Sequence, residues 1–224
     1  MRRIKILFFW LFLRKNNVSF SELLYFLTKP KINHLAKKYL KGLEEAGDLY
    51  KAAFDAGILY WPKTFSLVRL DQVICETFDE KDWHYYKWKH TPIEKGEILL
   101  DIGTAEGLFS LCEVNNCSHI YLVEPSHTFM NCLEKTFAPY RDKVTIHNVA
   151  IGNEDGMVPF SEDALDGKIT SGNSSNTRQT PIRKVDTIIQ DRITYLKADI
   201  EGFEIEMLKG AEQTIKKNKP KIAI

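Results

Sequence analysis

The chain has little imbalance of charge, few cysteines, few glycines and prolines, and no apolar run long enough to span a bilayer. With 31 Lys and Arg against 30 Asp and Glu over 224 residues, the formal net charge is +1. That balance gives no reason to expect nucleic acid or an acidic membrane as a partner. The 12 Gly and 8 Pro, beside 44% hydrophobic and 12% aromatic content, exclude a disordered, collagen-like or coiled-coil chain. The four cysteines, Cys75, Cys112, Cys117 and Cys132, form no C-x-x-C pair and have no histidine pair nearby, which excludes a disulfide framework and a zinc site. They read as reduced thiols of a cytoplasmic protein, and no metal is expected.

The remaining class is a globular protein of one domain with an accessory segment, the boundary falling near residues 95 and 96. Arg2, Arg3 and Lys5 precede an apolar run over residues 6–13, and Arg14 and Lys15 come directly after it. No small-residue cleavage site is present there, and the run is short of the ~20 residues of a membrane span. Residues 4–13 therefore read as a helix packed on the main domain, with an amphipathic helix on a membrane surface as the alternative.

Residues 1 to about 60 read as mainly helical. Ser19 and Glu22 have capping-box spacing ahead of Leu23, Leu24, Phe26 and Leu27, and Pro30 stops that segment. A second helix is expected over residues 31–46, with Gly47 as its C-terminal cap. Residues 58–61 and 67–68 have β-like composition, and Trp83, His84, Tyr85, Tyr86 and Trp88 form an aromatic cluster. That cluster suits the packing between segment and core better than a substrate wall.

From Glu97 the pattern changes to short apolar runs alternating with helix-period segments, the pattern of a parallel sheet with crossover helices. Strands are expected at 98–100, 120–123, 144–146, 195–198 and 221–224, and helices at about 107–115, 127–137 and 203–217. In the last helix Ile205, Leu208, Ala211 and Ile215 share one face. Residues 153–180 read as a long polar loop, of the kind that is usually functional. The final strand stops abruptly, so the sheet is expected to lack its closing strands.

Three motifs carry chemistry. An apolar strand ends in Asp101 and leads into Gly103 and Gly107, where glycines permit a sharp bend and close approach of a ligand. A dinucleotide fold wants G-x-G-x-x-G facing a pyrophosphate; here the third glycine is missing and a carboxylate stands beside the bend, which suits a cationic ligand such as S-adenosylmethionine. Glu124 comes just after the second strand, 21 positions beyond Gly103, where an acid can accept bonds from ribose hydroxyls. Lys197, Asp199 and Glu201 lie at the tip of the fourth strand, at the carboxyl edge where open α/β sheets bind ligands, and can orient a hydroxyl and take its proton.

These motifs, with residues 148–156 and the run from Lys197 to Glu204 together with Leu208, Lys209, Gly210 and Ala211, resemble the FkbM-type methyltransferases over about residues 97–224. The resemblance implies an α/β fold with the Rossmann-like doubly wound sheet of class I methyltransferases, and S-adenosylmethionine as cofactor. It further implies methyl transfer to a small-molecule hydroxyl acceptor, in relatives mostly a sugar or polyketide. By that resemblance Asp101, Gly103, Thr104 and Gly107 surround the methionine part of the cofactor, Glu124 the ribose, and Asn148 with Ala150 the adenine side. The 171–175 loop matches a segment of the family near the cofactor. Asp199 is then the expected base, with Lys197 or Glu201 orienting the acceptor. The alternatives are a non-catalytic binding domain on the same fold and, less favoured, an NAD-dependent oxidoreductase.

Overall fold

The computed structural model describes residues 2–13, 18–82, 84–87, 89–162, 168–169 and 177–224. It opens with helices α1 (Arg2–Leu13) and α2 (Phe20–Thr28), the second started by the expected capping box between Ser19 and Glu22. Buried Leu23 and an ion pair from Lys29 to Asp79 (3.3 Å) attach α2 to the body of the molecule. Helix α1 packs on α2 and most of its apolar side chains stay exposed, in place of the expected helix packed on the main domain.

The expected helix over 31–46 is not formed. A short α3 (Ile32–Ala36) leads into β1 (Gly42–Ala46), β2 (Leu49–Phe54) and β3 (Gly57–Pro62), an antiparallel sheet in the order β1-β2-β3. Gly47, with φ +65°, closes the two-residue hairpin that pairs Ala46 with Leu49. A left-handed glycine serves a helix cap and a tight hairpin equally well, so the glycine marks a chain reversal without deciding which element precedes it. Likewise Leu67 and Val68 begin a helix, α4 (Leu67–Phe78), rather than a strand.

Next come β4 (Glu97–Ile102), α5 (Leu108–Glu113), β5 (Cys117–Val123), α6 (His127–Thr136) and β6 (Val144–His147). Just before the stretch expected as a loop comes β7 (Ala150–Ile151); the stretch itself contains β8 (Gly156–Ser161), β9 (Lys168–Ile169) and the start of β10 (Thr177–Arg183), and the four form a second sheet in the order β7-β10-β8-β9. The expected Ser/Gly loop at 171–175, like Trp83 and Trp88, lies outside the described residues. The chain continues through α7 (Val185–Ile188), β11 (Tyr195–Ala198), α8 (Glu204–Gly210), α9 (Glu212–Asn218) and β12 (Lys221–Ala223). The single expected helix over 203–217 is thus split at Ala211, and Ile205 is exposed while Met207 takes the core position.

The main sheet is parallel throughout, ordered β12-β11-β4-β5-β6. Side chains alternate along each strand, so Leu99, Ile120 and Leu122 face one side and Leu100, Ile102, Tyr121 and Val123 the other. The first side carries Leu108, Leu111 and Leu133 of α5 and α6, and also Trp61, Leu70 and Ile74 from the N-terminal half. The second carries Val185, Met207 and Ala211. Residues from both sides of position 95 thus share one hydrophobic core. Chain order along the sheet runs 5-4-1-2-3, so it reverses between β4 and β11 and leaves a crevice outside their carboxyl ends. Among the described residues, no helix is long and apolar enough to cross a membrane.

Candidate functional site

A cavity occupies that crevice. The bend after β4 contributes Gly103, Thr104, Ala105 and Glu106; the end of β5 contributes Glu124 and Pro125; β11 and the turn after it contribute Lys197, Asp199 and Glu201. Glu76 and Thr77 of α4, with His84 and Tyr86, line it from the N-terminal half, and Ala150, Ile151 and Phe160 line it from the small sheet. His84 and Tyr86 therefore belong to the cavity wall, where packing was the favoured expectation for the aromatic cluster.

The bend after β4 is held in unusual backbone. Gly103 and Gly107 have φ of +71° and +88°, and Ala105 has +50° without being glycine. A Cβ at Gly103 would overlap the Asp199 carbonyl, and one at Gly107 would sit 2.8 Å from Leu133 and Phe137. The expectation that these glycines clear space for a ligand is corrected: the adjoining strand end fills the room at Gly103, and side chains of and beside α6 fill it at Gly107. Gly107 does not line the cavity. The amides here are committed as well. Gly103 and Thr104 donate to the Val123 carbonyl (2.9 and 3.3 Å), Ala105 to Glu124 Oε2 (2.9 Å), Gly107 to the Thr104 carbonyl (3.0 Å) and Leu108 to Glu106 Oε1 (3.3 Å).

Asp101 and Lys197 are register partners on β4 and β11, so their side chains share a face of the sheet. Lys197 Nζ lies 3.1 Å from Asp101 Oδ1 and donates to the Gly103 carbonyl at 3.2 Å, and Ser110 Oγ donates to Asp101 Oδ2 at 2.7 Å. Burial works against the Lys197 charge, but Asp101 and Asp199 outweigh it and hold the ammonium above its usual range. Asp101 is fully buried and does not line the cavity, so its carboxylate serves Lys197 and Ser110 rather than contacting a ligand.

Glu124 is buried, and its two oxygens accept from Ala105 N–H (2.9 Å) and Ser126 N–H (2.8 Å). Desolvation prevails over those bonds and pushes its carboxyl up to about 7. Each oxygen retains a lone pair for a further donor. Asn148 does not line the cavity; its amide donates to the carbonyls of Glu124 (2.8 Å) and Pro125 (3.2 Å) and so holds the chain that presents Glu124. Ala150 does line the cavity, and so does Thr104, whose hydroxyl donates to the Asp101 carbonyl at 2.8 Å.

Glu106 escapes sequence reasoning, because an acid between two glycines looks like a solvated turn residue. It is 6% exposed, lines the cavity, and is pushed by desolvation to about 7. Asp199 stands beside the Tyr86 hydroxyl, which burial and that carboxylate push up. Glu201, also on the wall, has φ +53°. Backbone strain at Ala105 and Glu201, of order 1–3 kcal/mol each, thus falls on two residues of one cavity. Glu76 Oε1 lies 3.3 Å from His84 Nδ1 and accepts from Gln72 Nε2 at 2.8 Å. Among the described residues the site therefore combines five acids, Glu76, Glu106, Glu124, Asp199 and Glu201, with a lysine that is already paired.

Comparison with known proteins gives one family match, to the Methyltransferase FkbM domain over residues 101–224. The crystal structure of methyltransferase FkbM from Methylobacillus flagellatus KT is similar at 26% identity, with a TM-score of 0.44 over 57% of this chain and 32% of that one. The chain thus spans about a third of that protein's length. Spermidine synthase from Thermotoga maritima is similar at 13% identity and a TM-score of 0.22, over 52% of this chain and 44% of that one. No curated protein matches the chain.

Proposed function

The chain belongs to the FkbM methyltransferase domain family, and from that premise we propose that it is an S-adenosylmethionine-dependent methyltransferase acting on a hydroxyl of a sugar or another small metabolite. The observation that carries this reading is the charge of the cavity. Five acids among the described residues line it and Lys197 is occupied by Asp101, so even with Glu106 and Glu124 pushed up to about 7 the wall is acidic and favours a ligand bearing ammonium and sulfonium charges. A pyrophosphate would meet that surplus of carboxylates, and the amides of Gly103, Thr104 and Ala105 that would cradle it already serve Val123 and Glu124. The NAD-dependent reading is disfavoured on both counts.

The residues present fit this cofactor, which when bound supplies an electrophilic methyl group on sulfur. Glu124 would hold the ribose hydroxyls with the lone pairs that Ala105 and Ser126 leave unused. Apolar Val123, Phe129, Val149 and Phe160 exclude water around a flat base. Asp199 takes the proton from the acceptor hydroxyl, and Tyr86 beside it fixes the direction of approach. Glu201 faces the same cavity and offers acceptor-hydroxyl contacts. Lys197 acts on Asp101 and Asp199 by its charge and is a positioning residue rather than a proton carrier. Much of the rate in such a transfer comes from alignment, for which oriented reactions gain about 7–11 kcal/mol.

The test is an assay of S-adenosylhomocysteine formation against a panel of saccharides and small alcohols. Asp199→Asn should lower turnover by about 10²–10⁴-fold, with affinity for S-adenosylhomocysteine nearly unchanged. Loss of affinity instead would move Asp199 into the cofactor site.

A further inference from the structure

The N-terminal hairpin carries an apolar surface that the cavity does not use. On α1, Ile4, Phe8, Phe9, Leu11 and Phe12 are all exposed, Ile4 by 72% and Phe12 by 68%. The neighbouring α2 adds Phe20, Leu24 and Phe26, also exposed. Exposed large apolar side chains concentrated on two adjoining helices mark contact with another phase or partner. The hairpin is also anchored in a way that turns this surface outward. Leu23 is buried, Lys29 pairs with Asp79 and Asp82, and the Tyr25 hydroxyl donates to Asp79, so α2 holds to the body while α1 lies outside it. Arg3 ties the two helices together by donating to the Leu27 and Lys29 carbonyls.

Charge identifies the phase that covers this surface. The first acidic residue of the chain is Glu22, whereas Arg2, Arg3, Lys5, Arg14 and Lys15 precede it. A second copy of the chain would bring the same stretch of basic, acid-free sequence towards this one, and the like charge opposes self-association through α1. An anionic lipid surface is complementary to both features: basic residues meet headgroups and the apolar side chains enter the acyl boundary. The 12 residues of α1 extend only about 18 Å at ~1.5 Å per residue, well short of the ~30 Å hydrocarbon core, so the helix lies in the interface.

We propose that the α1–α2 hairpin seats the protein on anionic membrane surfaces, independently of the chemistry in the cavity. The test is sedimentation of the full chain with vesicles of phosphatidylcholine containing phosphatidylglycerol, and with vesicles of phosphatidylcholine alone. The full chain should bind the anionic vesicles at least about tenfold more tightly, and salt should weaken that binding. Phe8→Glu with Phe12→Glu, at two exposed positions, should abolish it while leaving thermal stability unchanged. Equal binding to both vesicle types overturns the proposal, as does anionic binding that survives the double substitution. Absence of vesicle binding also overturns it, and light scattering then tells whether a second copy covers the phenylalanines instead.

Discussion

Lys197 owes its place to a neighbour on the next strand. Its ammonium is nearly buried, 3.1 Å from a fully buried Asp101, and among the described residues this is the ion pair that each of the two makes. Removing one partner strands the other in a low-dielectric interior, which typically costs about 3–5 kcal/mol. Lys197→Met is therefore expected to destabilise the fold by that amount in urea denaturation. A loss below about 1 kcal/mol would mean that the pair is solvated and that Lys197 is available to a substrate. This is also where the sequence is most ambiguous: a lysine inside an apolar strand signals a special environment, but only the register of β11 on β4 tells whether its partner is a ligand or Asp101. Glu124 is legible because a strand end at a fixed distance from the glycine bend is a local feature. Asn148 stands close in sequence to the site, but its amide holds the backbone around Glu124.

The elements divide by how local their causes are. The inner strands β4, β5 and β11 are readable as apolar runs because strands buried on both faces need no alternation with polar residues, and the half-buried edge strands β6 and β12 are readable as shorter runs. The hairpin of β1 and β2 is not, because Leu43, Glu44, Glu45 and Ala46 suit a helix and only pairing with residues 49–53 makes them a strand. The small sheet escapes for a similar reason: β8 and β10 pair across residues that read as polar loop, and the pairing is long-range. One close approach between elements is testable. The ends of β4 and β11 meet where a Gly103 Cβ would collide with the Asp199 backbone, which cannot rotate away as a side chain can. Gly103→Ala should cost about 1–3 kcal/mol from crowding, with a further contribution from its φ of +71°. It should also lower turnover by moving Asp199, and a melting temperature equal to that of the unsubstituted chain would contradict this account of the bend.

At the scale of the whole molecule, the cavity imposes its own pH dependence. Glu106 and Glu124 are both pushed from their ordinary value of 4.5 to about 7 by burial, so the folded state holds more protons than the unfolded one between those values. Stability without ligand therefore falls as pH rises from about 4.5 to about 7, and levels off above that range. Glu106→Gln should flatten the fall, since an amide has no proton to release; a thermal-melt series that is steepest above pH 8 would contradict the assignment. A bound ligand that donates hydrogen bonds to the Glu124 carboxylate favours its charged form, so binding should release a proton. The most direct test of the central claim is calorimetric titration with S-adenosylhomocysteine across about pH 5.5 to 8.5, with NADH as the control ligand. The account predicts saturable binding that tightens as pH rises through about 7, loses that pH dependence and weakens in Glu124→Gln, and has no counterpart with NADH. Binding of NADH in preference, or no binding of S-adenosylhomocysteine by a folded chain at any pH, would contradict it.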